Sequence, residues 1–288
     1  MLPFVKGKDT TGKEAEALKR LLALMMVVAV TAALLACTKG GHDNEDGNDT
    51  PNPEPQYAGA DTMTLRVVGD GENGTLILAG ETEVYALPLE GVTLYLDGGS
   101  VSASEIESGM SAEVWYTGGV QETYPAKFSQ VVAVSLSREE NAQYDLCGLY
   151  LQVLEDLWNE DDGLNGGAEV VSVDLSKASG GLTAGEKAAG AYIYAQKHGV
   201  QGLTMTFDEL REEGYLMGEK LEGGSTAYSF TNGLLFTITP DETQENGASV
   251  CFSAEKWRSP LGAYYFTKCT ASRGDNGWEY TVGAEAIS

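Results

Sequence analysis

Through the first half of the chain, apolar and polar residues alternate in short stretches. Met63–Val68, Gly74–Leu78, Glu83–Leu87, Ala112–Tyr116 and Gln130–Leu136 are alternating or rich in β-branched residues, with Gly, Asp and Asn between them. That pattern predicts strands. The breaks carry turn chemistry at Asp70-Gly71, Glu72-Asn73-Gly74 and Asp97-Gly98-Gly99, where small or self-capping residues accept tight backbone angles. Ser104, Glu105-Ile106 and Gly109 predict one short helical turn before the fourth strand. So many short strands between residues 60 and 137 favour a small closed barrel over a sandwich.

After residue 142 the period changes. Leu146, Leu149, Tyr150, Val153, Leu154, Leu157 and Trp158 are spaced alternately by three and one, which puts them on one face of a helix. Glu169–Leu175 reads as a strand. Thr183-x-x-Glu186 is a capping box opening a helix that stops at His198-Gly199, and Thr206-x-x-Glu209 opens a shorter one. The rest is β: Ala227–Thr239, Ser249–Lys256, Gly262–Ser272 and Trp278–Ala284, with a hairpin signal at Gly274-Asp275-Asn276-Gly277. Helices first and a meandering antiparallel sheet last define an α+β domain over 142–288, following a small β domain over 58–138. The order is similar to the cystatin-like and NTF2-like cones, an analogy of fold that carries no activity.

The N-terminus is patterned differently. Leu21–Ala36 reads LLALMMVVAVTAALLA, directly after Lys19-Arg20. A bilayer-spanning helix needs about 20 apolar residues, so this shorter run fits the apolar core of an export signal. It ends Leu34-Leu35-Ala36-Cys37, which resembles the lipobox of bacterial lipoproteins. The resemblance implies cleavage of residues 1–36, acylation of Cys37, and an outward-facing protein held at the cell membrane by lipid. Residues 37–57 are rich in Pro, Gly, Asn and acids and read as an acidic tether, with too little apolar surface to offset the entropy of ordering. His42 is a passenger of that tether.

Within the β domain, Ser104-x-Ile106-x-x-Gly109-Met110-x-Ala112-x-Val114-x-Tyr116 and Glu122-Thr123-Tyr124-Pro125-Ala126 resemble a small OB-like barrel domain found in bacterial lipoproteins. The resemblance implies a strand-loop-strand in that region and no catalytic residues.

Charge narrows the partners. The net charge is −25 with only two His. Removing residues 1–36 would take away Lys6, Lys8, Lys13, Lys19 and Arg20 against Asp9, Glu14 and Glu16, so the mature chain is more acidic still. Nucleic-acid binding requires a basic surface, adsorption to anionic lipid does too, and multi-histidine zinc chemistry lacks ligands. No cofactor is expected, and no nucleophile motif is present in a suitable setting.

Five candidates for chemistry remain. Cys251 and Cys269 are symmetric about Pro260, so a hairpin turning there sets them facing each other as a disulfide, or as two buried thiols. Cys147 lies next to the apolar face of the first helix, and His198 complements a helix C-terminus. The acidic loop after the first helix aligns Glu160, Asp162 and Glu169 with calcium-ligand positions, or is simply solvated. Trp257, Arg258 and Tyr264, in the densest aromatic and basic stretch of the chain, form either a platform for a glycan or peptide, or a sheet face covering a helix. Two functions are consistent with these features: a non-enzymatic binding or scaffolding module at the cell envelope, and a glycan hydrolase using two carboxylates. A shallow aromatic groove near Trp257 favours the first, and a cleft with converging carboxylates the second.

Overall fold

A computed structural model describes residues 57, 59–138, 144–178, 180–245, 249–275 and 277–288. The apolar run, Cys37 and the tether up to Gln56 lie outside the described residues. Among the described residues, no helix is long and apolar enough to cross a membrane.

The chain is mostly β: a closed barrel of five strands, then a half-barrel sheet. The barrel strands are β1 (Asp61–Asp70), β2 (Thr75–Ala79), β3 (Val84–Pro88), β6 (Ser111–Gln121) and β7 (Ala126–Ser137), with a short hairpin of β4 (Thr93–Leu96) and β5 (Gly99–Ser100) hung on β7. The sheet order β3-β2-β1-β6-β7 closes through a parallel β3–β7 pairing. Leu65, Val67, Leu76, Leu78, Leu87, Met110, Val114 and Leu136 fill the interior. The β4–β5 turn uses Asp97 and Gly98, both at positive φ, as the Asp-Gly pair predicts for a two-residue hairpin.

The second half begins with α1 (Leu146–Asn159), then β8 (Val170–Asp174), α2 (Ala184–His198), β9 (Gln201–Leu203) and α3 (Phe207–Glu212). A hairpin of β10 (Met217–Lys220) and β11 (Thr226–Ser229) follows. The large strands come last: β12 (Gly233–Glu245), β13 (Ser249–Ser259), β14 (Gly262–Gly274), β15 (Gly277–Thr281) and β16 (Ala284–Ile287). Asp145 caps α1, accepting from the Cys147 and Gly148 N–H groups, and Thr183 and Glu186 form the predicted capping box on α2. The sheet runs β15-β14-β13-β12-β8-β9, with β16 also on β14. It is mixed, where the sequence pattern predicts an antiparallel meander. β8 pairs parallel with both β12 and β9, because α2 carries the chain back across the sheet between β8 and β9.

Alternation then divides the sheet into two faces. Val171, Val173, Leu234, Phe236, Ile238, Phe252, Ala254 and Phe266 point toward Leu149, Tyr150, Val153, Leu154 and Leu157 of α1 and Tyr194 of α2. The other face carries Ser172, Asp174, Leu235, Thr237, Glu255 and Trp257.

The barrel and the helices share a third core. Val68, Ile77, Ala79, Val84 and Ala86 on the outside of the barrel pack with Cys147 and Ala189, which is why β2 is buried on both faces. At this seam the Arg66 guanidinium lies 3.0 Å from Glu186 and 3.6 Å from Asp145. The α2 N-terminus approaches so closely that a Cβ at Gly185 would run into the carbonyl oxygens of Gly80 and Glu83. Replacing Gly185 by Val is therefore expected to cost about 1–3 kcal/mol, as overpacking does, read as a lower urea midpoint; an unchanged midpoint would mean the seam yields without cost.

Candidate functional site

The sheet face turned away from α1 and α2 is covered only in part. At one end Leu210, Leu216 and Phe230 pack on Val170 and Leu235, joined by Met205, Phe207, Tyr228 and Trp257. The Ser172 hydroxyl donates to the Met205 carbonyl at 2.6 Å. Beyond this patch lies a cavity of about 430 Å³, lined by Asp174, Lys177, Thr206, Phe207, Asp208, Thr237, Thr239, Glu255 and Trp257 among others. That volume is in the range of small-ligand sites.

The register of the sheet builds the cavity floor. Thr237 pairs with Asp174 on one side and Glu255 on the other, and Glu255 pairs with Tyr265. Two residues along, Ser172, Leu235, Trp257 and Ala263 form the neighbouring row. Asp174 and Glu255 thus stand on one face two strands apart, about 10 Å between Cα atoms at standard strand spacing. Phe207 meets the Trp257 ring edge to face, with centroids 5.1 Å apart, and makes the aromatic wall.

The two carboxylates have different surroundings. Asp174 is only 8% exposed; its Oδ1 accepts from the Ser176 N–H at 2.9 Å. Glu255 is half-buried. Burial pushes its carboxyl above the usual range, while hydrogen bonds from the Tyr265 and Thr237 hydroxyls hold it down.

Trp257, Arg258 and Tyr264 do not form one surface. Trp257 lines the cavity. Tyr264 pairs with Lys256, on the face toward α1, and its hydroxyl donates to Glu285 at 2.5 Å. Arg258 donates to the carbonyls of Leu164 and Gly166, both at 2.7 Å, and of Thr231 at 2.6 Å. Alternation along a strand separates the two aromatics, and backbone oxygens consume the guanidinium.

The acidic loop does hold a cation, but one that the chain supplies. Lys256 is fully buried, and its ammonium donates to the carbonyls of Trp158, Glu160 and Asp161 and to Asn165 Oδ1. Its partners are backbone carbonyls of the loop and one amide, not the carboxylates of Glu160, Asp162 and Glu169 that the calcium alignment uses. Glu169 instead joins Asn232, whose side-chain amide donates to it. Among the described residues, no three His, Cys, Asp or Glu side chains converge as metal ligands. The same ammonium explains how acids are tolerated after α1: a cation at a helix C-terminus satisfies the last carbonyls and opposes the dipole.

Cys251 and Cys269 are free thiols. Near the turn the register follows the symmetry about Pro260, pairing Ala254 with Phe266 and Trp257 with Ala263, but it shifts by one before Phe252, which pairs with Cys269. Lys268, at φ 54°, lies at this shift. A slip of one residue turns a side chain to the opposite face, so Cys251 pairs with Thr270 while Cys269 faces the core. Denatured without reductant, Cys147, Cys251 and Cys269 should all react with iodoacetamide; protection of a pair would restore the bridge.

The remaining nucleophile and base candidates lie away from the cavity. Burial raises the Cys147 thiol well above its usual value and Cys269 to about 11, which suppresses the thiolate. His198 stacks on Trp158 at 3.8 Å and hydrogen-bonds Glu155 at 3.0 Å. Burial lowers its value, opposed by Glu155.

No protein-family model, curated protein or solved structure matches the chain.

Proposed function

We propose that the protein is an exported bacterial lipoprotein, anchored to the cell membrane through acylated Cys37, that presents a non-enzymatic binding module for a glycan or peptide on the outside. The apolar run, the basic pair before it and the lipobox-like Leu34–Cys37 support the anchor. The acidic stretch up to residue 57 serves as tether. The barrel is OB-like: its ring order 1-2-3-5-4 and its parallel closure between third and fifth strands support that reading. The second half is an α+β layer in which α1 and α2 cover one face of the curved sheet, in the manner of cystatin-like and NTF2-like cones.

The observation that carries the binding role is the cavity on the other face, where Trp257 and Phe207 stand beside Asp174 and Glu255. Aromatic walls with a few placed polar groups are the usual build of a ligand site. A screen of glycans and peptides against the wild type and Trp257→Ala tests it. At least one ligand is expected to lose affinity tenfold or more in the variant; equal binding by both would remove the cavity from the account.

A second reading rests on the row Asp174–Thr237–Glu255. Paired carboxylates with one raised above its usual value are the machinery of glycoside hydrolysis. Turnover of an aryl glycoside that Asp174→Asn and Glu255→Gln each abolish would establish the enzyme in place of the binder.

A further inference from the structure

Among the described residues, the buried charges are neutralised or enclosed by hydrogen-bond partners with one exception. Four charged side chains are buried among the described residues: Asp145, Asp174, Glu186 and Lys256. Arg66 stands beside Asp145 and Glu186, and four oxygens surround the Lys256 ammonium. Among the described residues, Asp174 has a single hydrogen bond, from the Ser176 N–H to Oδ1; no Lys, Arg or His comes within 4 Å of the carboxylate, and Oδ2, without a partner, is not sealed from solvent. A carboxylate oxygen that the fold leaves unpaired is open to a donor or cation from outside. This one lines the cavity.

The rest of the lining indicates the sign and shape of the missing partner. Glu255 adds a second carboxylate, Asp208 a third that Arg211 already pairs at 2.8 Å, and Lys177 is the one cation among the lining residues. An anion is disfavoured there, and a neutral ligand leaves the Asp174 charge uncompensated. A metal ion needs several oxygens within about 2.6 Å, and no three acidic, His or Cys side chains converge on such a point among the described residues. Beside the acids stand Trp257 and Phe207, and aromatic faces attract organic cations as well as apolar chains.

We infer that the cavity takes an alkylammonium group, such as a free amine or a lysine side chain, with the ammonium against Asp174, Glu255 as the second negative wall, and the alkyl chain on Trp257 and Phe207. This rests on the reading of the cavity as the binding site and names the chemistry it selects. The ligand supplies the counter-ion that the fold withholds. A cation arriving near Glu255 also favours its ionised form, the form to which the Tyr265 and Thr237 hydroxyls already donate.

The test is a calorimetric titration of the full-length protein in detergent with butylammonium, butanol, butyrate, N-acetyl-lysine methylamide and cellobiose, at low and physiological salt. Butylammonium is expected to bind at least tenfold tighter than butanol, with no detectable binding of butyrate. Asp174→Asn should remove that preference, Trp257→Ala should weaken butylammonium and butanol alike, and Lys177→Gln should strengthen butylammonium a few-fold. Binding of N-acetyl-lysine methylamide tighter than butylammonium identifies a peptide source, and the reverse order a free amine. Near-ultraviolet circular dichroism of each variant confirms the fold. Butylammonium binding that survives Asp174→Asn is general attraction to an acidic protein and overturns the inference. So does its failure to bind. If cellobiose then binds and Trp257→Ala abolishes that binding, the cavity remains the site and only the ligand class falls. If no probe responds to Trp257→Ala, the site reading falls with it.

Discussion

Replacing Lys256 by Met is expected to lower the stability of the folded protein by about 3 kcal/mol, a clear drop in urea midpoint. The side chains are similar in length, so packing changes little. What changes is the donor. The carbonyls of Trp158, Glu160 and Asp161 and the Asn165 side chain share one ammonium. A buried acceptor left without a donor costs about 1–3 kcal/mol. Removing a buried charge returns part of that, because its desolvation is relieved. Four oxygens against one ammonium leave the balance unfavourable. Opening of the loop over residues 159–168 should accompany the loss, seen as faster amide exchange there, while Arg258 continues to hold Leu164 and Gly166.

The same residue sets a pH signature. Burial lowers Lys256 to about 8, partly offset by Asp161, Glu160 and Asp162. Between about pH 8 and the ordinary lysine value of 10.5, the unfolded chain holds a proton that the folded chain has released. Stability rises with pH wherever the unfolded state binds more protons, so this titration adds stability across that window. The difference between wild type and Lys256→Met should therefore grow from pH 8 to 10. A constant difference would mean that the ammonium keeps its ordinary value.

The second large effect concerns Cys37. A buried acyl chain contributes about 0.8 kcal/mol per methylene, and one chain alone gives marginal, reversible attachment. A diacylated cysteine passes that threshold. Cys37→Ser is expected to abolish incorporation of an alkynyl palmitate and to leave residues 1–36 uncleaved, because processing follows lipidation in the lipoproteins that the lipobox resembles. Wild-type protein with no acyl mass on Cys37, or with a mature N-terminus elsewhere, would remove the anchor from the account.

Elements whose boundaries are local were legible in the sequence. The 3-and-1 spacing of Leu146 to Trp158 gave α1, the Thr183 and Glu186 pair gave the start of α2, and the alternating runs between 60 and 137 marked the strands that close the barrel. Features that depend on register were not. The distance of Cys251 and Cys269 from Pro260 is equal, yet one extra residue near Lys268 turns them to opposite faces. Asp174 and Glu255 are 81 positions apart, and nothing local joins them. Their row exists because β12 lies between β8 and β13 with Thr237 as the common partner. A faint signal was present in β8, where Ser172 and Asp174 alternate with Val171 and Val173, while in β13 Lys256 and Trp257 reverse that pattern beside Ala254 and Glu255. Polar residues at every second position of central strands mark a face that the helices do not cover. Lys256 was hidden for the opposite reason, since a lysine beside Trp257 and Arg258 reads as surface until its depth is known.

Asp174 serves a ligand and not the fold. The most direct test of that needs no ligand: the thermal midpoint of Asp174→Asn against wild type, both in the free state. The Asn side-chain oxygen can still accept from the Ser176 N–H, while the uncompensated charge is gone. Functional sites commonly hold such strain, and relieving it stabilises the protein. A midpoint raised by about 2–4 °C, corresponding to roughly 1 kcal/mol in a chain of this size, is the expected result. A midpoint lowered by several degrees would show that the carboxylate serves the fold, and would contradict the account.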